Sequence, residues 1–273
     1  MPGRIDLHIH TCYSDGLSSP KEIVEIVRRK RLCAFSICDH DTLHGYWETK
    51  KILIEGDPEL VPGVELSVGR DFEDIHILGY YFNPESSPLS EALEDFRGRR
   101  NRRGQEMLSR LKKVGIDITL EAVKKIAGES AIGRPHIADA MLKAGAIKNY
   151  ETAFIRYIGH DCPAYVPKEN LTPVEAFNLI HKAGGLAFLA HPGIGNVAAH
   201  INEFLELGLD GIEIYHPRHG SRLRREFSNI VINHAILGSG GSDYHGREGR
   251  YSMIGSQSVP DEYLTALKGR LKR

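Results

Sequence analysis

Apolar, strand-like runs in this chain end, one after another, in a histidine or a carboxylate. Ile5-Asp6-Leu7-His8-Ile9-His10 closes in His-x-His with Asp15 beyond it, and Ala34-Phe35-Ser36-Ile37-Cys38 gives way to Asp39-His40-Asp41. Val64 leads into Glu65, and Ile75-His76-Ile77-Leu78 carries a further histidine. Leu186 to Ala190 ends in His191-Pro192, and a glycine-rich stretch ends in Asp243-Tyr244-His245. One strand-end histidine is ordinary. Six successive segments built this way predict strand ends that converge on a single polar site, as in barrels whose chemistry sits at the C-terminal face.

At 273 residues the chain is long enough for one α/β barrel with a large core. Charged residues make up 26% and the net charge is −1, so no bulk field argues for nucleic acid or membrane. The chain enters a strand by Arg4, which leaves no room for a signal peptide, and no apolar run is long enough to cross a bilayer. Cys12, Cys33, Cys38 and Cys162 form no CxxC pair and read as reduced thiols, so a cytoplasmic protein is expected.

Strand-like runs alternate with amphipathic helices, which argues for parallel β/α units. Ser19-Pro20-Lys21-Glu22 and Thr172-Pro173-Val174-Glu175 are helix starts, each with a cap, a proline in the first turn and a glutamate three residues on. Residues 186–191, 211–216 and 236–243 read as further strands. The rhythm breaks after Asn83-Pro84-Glu85-Ser86-Ser87-Pro88, a linker signal. Three helical patterns follow in a row, Leu89 to Val114, Leu120 to Ile126 and Pro135 to Ala144. The expected organisation is a barrel from residues 1–82 and 166–273, with 83–165 as a helical insertion over its C-terminal mouth.

Residues two apart in a strand share a face, so His8 and His10 can reach one ion. Mixed imidazole and carboxylate donors suit Mn²⁺, Fe²⁺ or Zn²⁺ rather than a cysteine-zinc or an all-oxygen site. Nine ligands are too many for one ion and suffice for two or three with a bridging carboxylate. Taken singly, each histidine could be a core residue with its hydrogen bonds satisfied; the joint pattern points to a metal-dependent hydrolase.

His8-x-His10 with Asp15, Asp39-His40-Asp41, Glu65, His76, His191-Pro192 and Gly241-Ser242-Asp243-Tyr244-His245 resemble the four motifs of the polymerase-and-histidinol-phosphatase (PHP) family. The resemblance implies a distorted seven-stranded β/α barrel with three metals, Mn²⁺ foremost. Carried over by position, His8, His10, Glu65 and Asp243 would hold the first metal. Asp15, His40 and His245 would hold the second, and Glu65, His76 and His191 the third, with Glu65 bridging. Gly133-Arg134-Pro135-His136 and Glu213-Ile214-Tyr215-His216 further resemble a bacterial PHP subfamily acting on nucleotides. Its members are nucleoside 3′,5′-bisphosphate phosphatases, nucleoside monophosphatases and 5′→3′ exonucleases on short RNA.

The expected chemistry is attack of a metal-bridging hydroxide on phosphorus, in line with the leaving oxygen. Arg134, beside a helix start, is expected to grip phosphate, since a guanidinium makes two parallel bonds to it. His216, at the end of the Ile212-to-Tyr215 strand, is expected to contact phosphate, to protonate the leaving group, or to support a metal ligand. Asp39 and Asp41 are candidates for orienting metal-bound imidazoles. His44, His136 and His219 carry no expected role.

The basic run Arg97-Gly98-Arg99-Arg100-Asn101-Arg102-Arg103 reads first as a solvated helix face and second as a guide for RNA. The expected partner is a nucleotide or short oligoribonucleotide, with no membrane and no obligate protein partner. AMP and histidinol phosphate are alternative substrates. Two other classes stay open. One is an amidohydrolase-type deaminase or lactonase, which would need a bridging lysine at a strand end. The other is a PHP module without activity.

Overall fold

The structure is a computed structural model that describes residues 3–70, 73–167, 171–247 and 253–272. Eight strands form one sheet in the order β7-β6-β5-β4-β3-β2-β1-β8. They are β1 (Arg4–Ile9), β2 (Ala34–Ile37), β3 (Glu59–Arg70), β4 (Glu73–Tyr80), β5 (Leu186–Leu189), β6 (Gly211–Tyr215), β7 (Leu237–Gly240) and β8 (Val259–Pro260). Helices α1 (Pro20–Lys30) and α2 (His44–Ile52) separate the first three strands. Helices α3 (Ser87–Lys113), α4 (Leu120–Ala127), α5 (Arg134–Lys143) and α6 (Tyr150–Ala153) lie between β4 and β5, where no strand occurs among the described residues. The remaining helices are α7 (Pro173–Lys182), α8 (Ile201–Glu206), α9 (Ser221–Asn233) and α10 (Glu262–Leu271).

Both expected helix starts form as capping boxes, Ser19 with Glu22 and Thr172 with Glu175, and α1 buries Ile23, Val24 and Val27. The strands differ from expectation in two ways. Eight are present rather than seven, because Val259–Pro260 adds a two-residue strand antiparallel to β1, too short to show alternation. The sheet is also mixed. β4 runs antiparallel to both β3 and β5, while β1-β2-β3 and β5-β6-β7 are parallel. Antiparallel neighbours need no helical crossover, so β3 and β4 extend together beyond the ends of the parallel strands.

The two flanks of the sheet meet at β1 and the end of β7, which nearly closes the barrel. The Ile9–Tyr244 bridge and the His10 N–H to Tyr244 O bond (2.9 Å) join them. Buried Asp6 accepts from the Ser242, Gly255 and His8 amides at 2.9, 2.7 and 3.3 Å, so it ties β1 to the segments after β7. Burial pushes its carboxyl pKa up, and those three N–H groups offset much of the cost of an unhydrated carboxylate. Gly241 sits where this seam is tightest: a Cβ there would lie 2.5 Å from the His8 amide nitrogen.

Apolar side chains of both faces of the sheet form the main core, including Val64, Leu66, Ile77, Leu189 and Ile212. A separate cluster, with Met107, Leu111, Val123, Ile137, Met141 and Val166, fills the helices between β4 and β5. Each fully buried aliphatic side chain contributes about 1.5–3 kcal/mol, so the helical stretch has a source of stability of its own. Gly241→Ala is expected to force β7 from β1 and destabilise by about 1–3 kcal/mol. Thermal unfolding should read this as a fall in Tm of several degrees, with the ends of β1 loosened in hydrogen exchange.

Candidate metal centre

All nine side chains singled out from the sequence converge at one end of the barrel. His8 comes from β1, and His10 and Asp15 follow it. His40 lies beyond β2, in a bridge with Glu65, and His191 and the Asp243–His245 pair follow β5 and β7. Glu65 and His76 correct the strand-end picture, since both lie within strands. They reach the site because the β3–β4 hairpin rises past the barrel end, with Ser67 paired to His76. Glu65, Ser67 and His76 thus share a face.

The donors form three overlapping groups around Glu65. His8 Nε2 lies 3.1 Å from His10 Nε2, 3.3 Å from Glu65 Oε2 and 3.4 Å from Asp243 Oδ1. His10 Nε2 lies 3.2 Å from both of those oxygens. An ion with tetrahedral bonds of about 2.0–2.1 Å holds its donors about 3.3–3.4 Å apart. These four atoms already stand at that spacing.

On its other oxygen, Glu65 Oε1 lies 2.9 Å from His76 Nδ1 and 3.1 Å from His191 Nε2. Asp15 is 3.2 Å from His245 Nε2, 3.8 Å from His40 Nε2 and 3.6 Å from His10 Nδ1. His10 therefore presents one nitrogen to each of two groups. His40 Nδ1 faces Glu65 Oε2 at 3.3 Å. His10 Nδ1 and His40 Nδ1 are buried without a hydrogen-bond partner among the described residues, which fits donors waiting for a cation.

Electrostatics point the same way. Burial opposes charge on Glu65, Asp15 and Asp243, yet the imidazoles around them hold all three well below the usual carboxylate range. Burial also opposes charge on His10, but Asp243 and Glu65 raise it to about 10, while burial drives His40 down to about 3. Three buried carboxylates need positive charge nearby; protons or divalent ions can supply it, so metal binding should displace protons. His191 and Asp243 carry positive φ angles of 29° and 49°. For residues other than glycine that is strain of the kind active sites hold.

Residues around the cluster fix the ligands. Glu213, fully buried on β6, takes His8 Nδ1 at 3.0 Å and accepts the His191 N–H at 2.7 Å. The sequence contained the signal, a glutamate inside an apolar strand, but no role was read from it. His216 is fully buried, with Nε2 3.2 Å from Asp243 Oδ2 and Nδ1 accepting from the Arg218 N–H at 3.2 Å. It thus stands behind Asp243 and is not among the residues that border the mouth, such as His40, His76, His191 and His245.

Asp39 and Asp41 orient no imidazole in the contacts they make. Asp39 accepts from Thr11 N, Thr11 Oγ1 and Ser14 Oγ at 2.5–2.8 Å, fixing the loop that carries Asp15. Asp41 accepts from Ser67 N and Arg100 Nε at 2.8 and 2.7 Å. His219 donates from Nδ1 to Ile214 O (2.9 Å) and accepts the Gly193 N–H (3.1 Å), so it joins the loops after β5 and β6. Arg134 opens α5 half-buried, its guanidinium 6.0 Å from the Phe154 ring. His136, two residues on, accepts the Gly133 N–H at 3.1 Å, and His44 takes Arg97 Nη1 at 3.2 Å.

A PHP domain model matches residues 6–171. The 5′-3′ exoribonuclease of Haemophilus influenzae is 31% identical over 250 residues, covering 90% of this chain and 91% of the relative. The chain belongs to the PHP family. It is an enzyme of the metal-dependent phosphoesterase kind, and α/β with a nearly closed, barrel-like sheet. Another PHP relative, the 3′,5′-nucleoside bisphosphate phosphatase of Chromobacterium violaceum, is 30% identical over 88% of this chain and 87% of its own.

Among solved structures, one from Bifidobacterium adolescentis described as a metal-dependent phosphoesterase superposes with a TM-score of 0.88, 28% identity and coverage of 99% and 98%. Another, described as an amidohydrolase from Chromobacterium violaceum with bound sulfate and no metal, gives 0.86, 27%, 98% and 97%. No lysine occurs in any of the eight strands, so the bridging lysine that an amidohydrolase-type site would need has no strand to come from. Among the described residues, no helix is long and apolar enough to cross a membrane.

Glu213→Gln keeps the shape but removes the negative charge behind His8, and should weaken metal affinity about 10- to 100-fold. Metal titration would read the loss, and circular dichroism should be unchanged. His219 gives a second expectation. Burial holds its pKa down at about 4, against about 6.5 when unfolded. Between those values the unfolded chain binds the extra proton, so its contribution is full above pH 6.5 and is lost as pH falls towards 4. Urea unfolding of His219→Gln and the parent, both metal-free, should show a shallower acid loss in the variant, by about 2–3 kcal/mol.

Proposed function

We propose that this chain hydrolyses nucleotide phosphate esters, acting as a nucleoside 3′,5′-bisphosphate 3′-phosphatase and as a 5′-3′ exonuclease on short RNA. The observation that carries the reading is the buried nine-donor cluster, three ionised carboxylates among six imidazoles, with no sulfur in the set. The names of the two relatives correspond to the two activities.

Three divalent ions, Mn²⁺ foremost, fit the donors. His8, His10, Glu65 and Asp243 hold the first; Asp15, His40 and His245 the second; Glu65, His76 and His191 the third. The proximity of His10 Nδ1 to Asp15 supports a shared wall between the first two sites. Such ions make hydroxide available near neutral pH and neutralise charge building on phosphoryl oxygens.

The chain's own groups do the rest. Glu65 spans two sites with its two oxygens and fixes their separation. Glu213 holds the His8 ring so that Nε2 points inward. His216 positions Asp243, a role its burial favours over delivery of a proton to the leaving group. Arg134, at the N-terminus of α5, grips a phosphate oxygen pair, helped by the positive end of the helix.

Residues 83–165 form a helical cap and residues 1–82 with 166–273 the barrel. The contacts across the division support this: Arg100 to Asp41, and Arg247 to Asp139 at 2.9 Å. The half-enclosed space between them is bordered by Asp15 and His40 on one side and Gly133 and His136 on the other.

Purified protein with Mn²⁺ should convert adenosine 3′,5′-bisphosphate to AMP and phosphate, and shorten 5′-phosphorylated RNA from its 5′ end. His8→Ala with His10→Ala should lose both activities and bound metal, with the melting profile retained. Activity surviving in that double variant would overturn the metal reading. Release of no phosphate from the bisphosphate by the loaded parent protein would overturn the substrate assignment.

A further inference from the structure

The arginines of α3 do not form a uniformly solvated face. Arg97, Arg100 and Arg103, three residues apart, all turn inward. Arg97 donates to Glu129 O, Arg100 to Asp41 and Ser67 Oγ, and Arg103 Nε to Val166 O, at 2.7–2.8 Å. Beneath them, cavities succeed one another away from the metal cluster. The one at the cluster shares His40 with the next, which adds Asp41 and Arg100. Those two residues in turn border a third cavity of about 270 Å³, close to the lower bound of about 300 Å³ for small-molecule sites.

The third cavity is built from two kinds of surface. Its rim carries the guanidinium groups of Arg99, Arg100, Arg102 and Arg103, against the carboxylates of Asp41 and Glu106. Both carboxylates are already engaged, Asp41 by Arg100 and Glu106 by Arg110. Phe96, Val166 and Leu171 line it with apolar surface. Arg99 lies 6.0 Å from the Phe96 ring, and Arg103 lies 6.0 Å from the Tyr165 ring. Aromatic and guanidinium planes beside a cationic rim are what single-stranded RNA uses, bases stacking on the flat faces and phosphates meeting the charge.

We propose that this cavity binds the nucleotide next to the one being cleaved in a single-stranded oligoribonucleotide, taking its base on Phe96 and its phosphate on Arg99, Arg102 and Arg103. The inference rests on the phosphoesterase reading and deepens it. Asp41 follows His40 directly and Ser67 is two residues past Glu65, so the cavity begins where the cluster ends. A bisphosphate ends at the metals, whereas an oligomer extends into the cavity. With a net charge of −1 over the chain, the cationic rim is a local feature and not a by-product of a basic protein. The Arg99–Asp95 pair (2.7 Å) is exposed, and such pairs hold their partners weakly, so a phosphate can displace Asp95.

Arg99→Glu with Arg102→Glu tests the proposal at positions unlikely to disturb packing, and Arg102→Ala provides a milder form. Binding of a fluorescent, 5′-phosphorylated RNA pentamer is measured by anisotropy in EDTA over a salt series. Hydrolysis of the same pentamer and of adenosine 3′,5′-bisphosphate is measured with Mn²⁺. The double variant should bind the pentamer about tenfold more weakly, with a salt slope shallower by about 1.4 for two lost phosphate contacts. Its kcat/KM for the pentamer should fall similarly, and that for the bisphosphate should stay within about twofold. Equal pentamer binding by variant and parent, or equal losses on both substrates, would overturn the proposal while leaving the phosphoesterase intact. A parent protein that binds the pentamer with the expected slope, loses it in the variant and cleaves neither substrate would support the cavity and overturn the function on which its meaning rests.

Discussion

The carboxylate of Glu65 is the interaction on which the rest of the site depends. One oxygen faces His8, His10 and His40, and the other faces His76 and His191. An ionised carboxylate buried this deeply costs several kcal/mol unless countercharge and donors surround it. The surrounding imidazoles, and the cations their donor geometry suits, provide that compensation. The two sides of the barrel are therefore held in register by one charge that neither could bury alone.

The mixed sheet is what brings Glu65 there. A purely parallel barrel presents side chains only from strand ends and loops. The antiparallel β3–β4 hairpin runs on past the barrel end, which lets residues in mid-strand, Glu65 and His76, line the mouth opposite His8 and Asp243. Closure on the other side rests on backbone approach. Gly241 has no side chain to separate β7 from β1, and Asp6 gathers the N–H groups of Ser242, Gly255 and His8. Groups far from any phosphate thus decide whether His8 and Asp243 stand 3.4 Å apart.

The helices between β4 and β5 supply charge of the opposite sign. Three carboxylates at the cluster and a band of guanidinium groups along α3 lie on adjacent surfaces, joined at Asp41 and Arg100. An anionic chain would meet the arginines before its terminal phosphate meets the metals. The arginines are shaped for this by burial: three of them are fixed by hydrogen bonds to barrel or backbone oxygens, so less side-chain entropy remains to be lost on binding.

Much of the site was legible in the sequence because its chemistry is local. His-x-His on a strand fixes two imidazoles on one face whatever the fold, and histidines or acids repeated at successive strands point to convergence. The capping boxes at Ser19 and Thr172, and the three longer helices of 87–143, follow from patterns of only a few residues. What the sequence could not decide were relations between distant segments. The antiparallel course of β4, the two-residue strand Val259–Pro260, the place of Glu213 behind His8 and the burial of His216 behind Asp243 all depend on which strand lies beside which. So does the inward turn of Arg97, Arg100 and Arg103, which in sequence share a pattern with any solvated helix. Residue type and spacing determine which groups can ligate, because those are properties of one strand or one turn. Which groups meet is settled by burial and strand pairing across the barrel, where the free energy of a contact depends on partners up to about two hundred positions away.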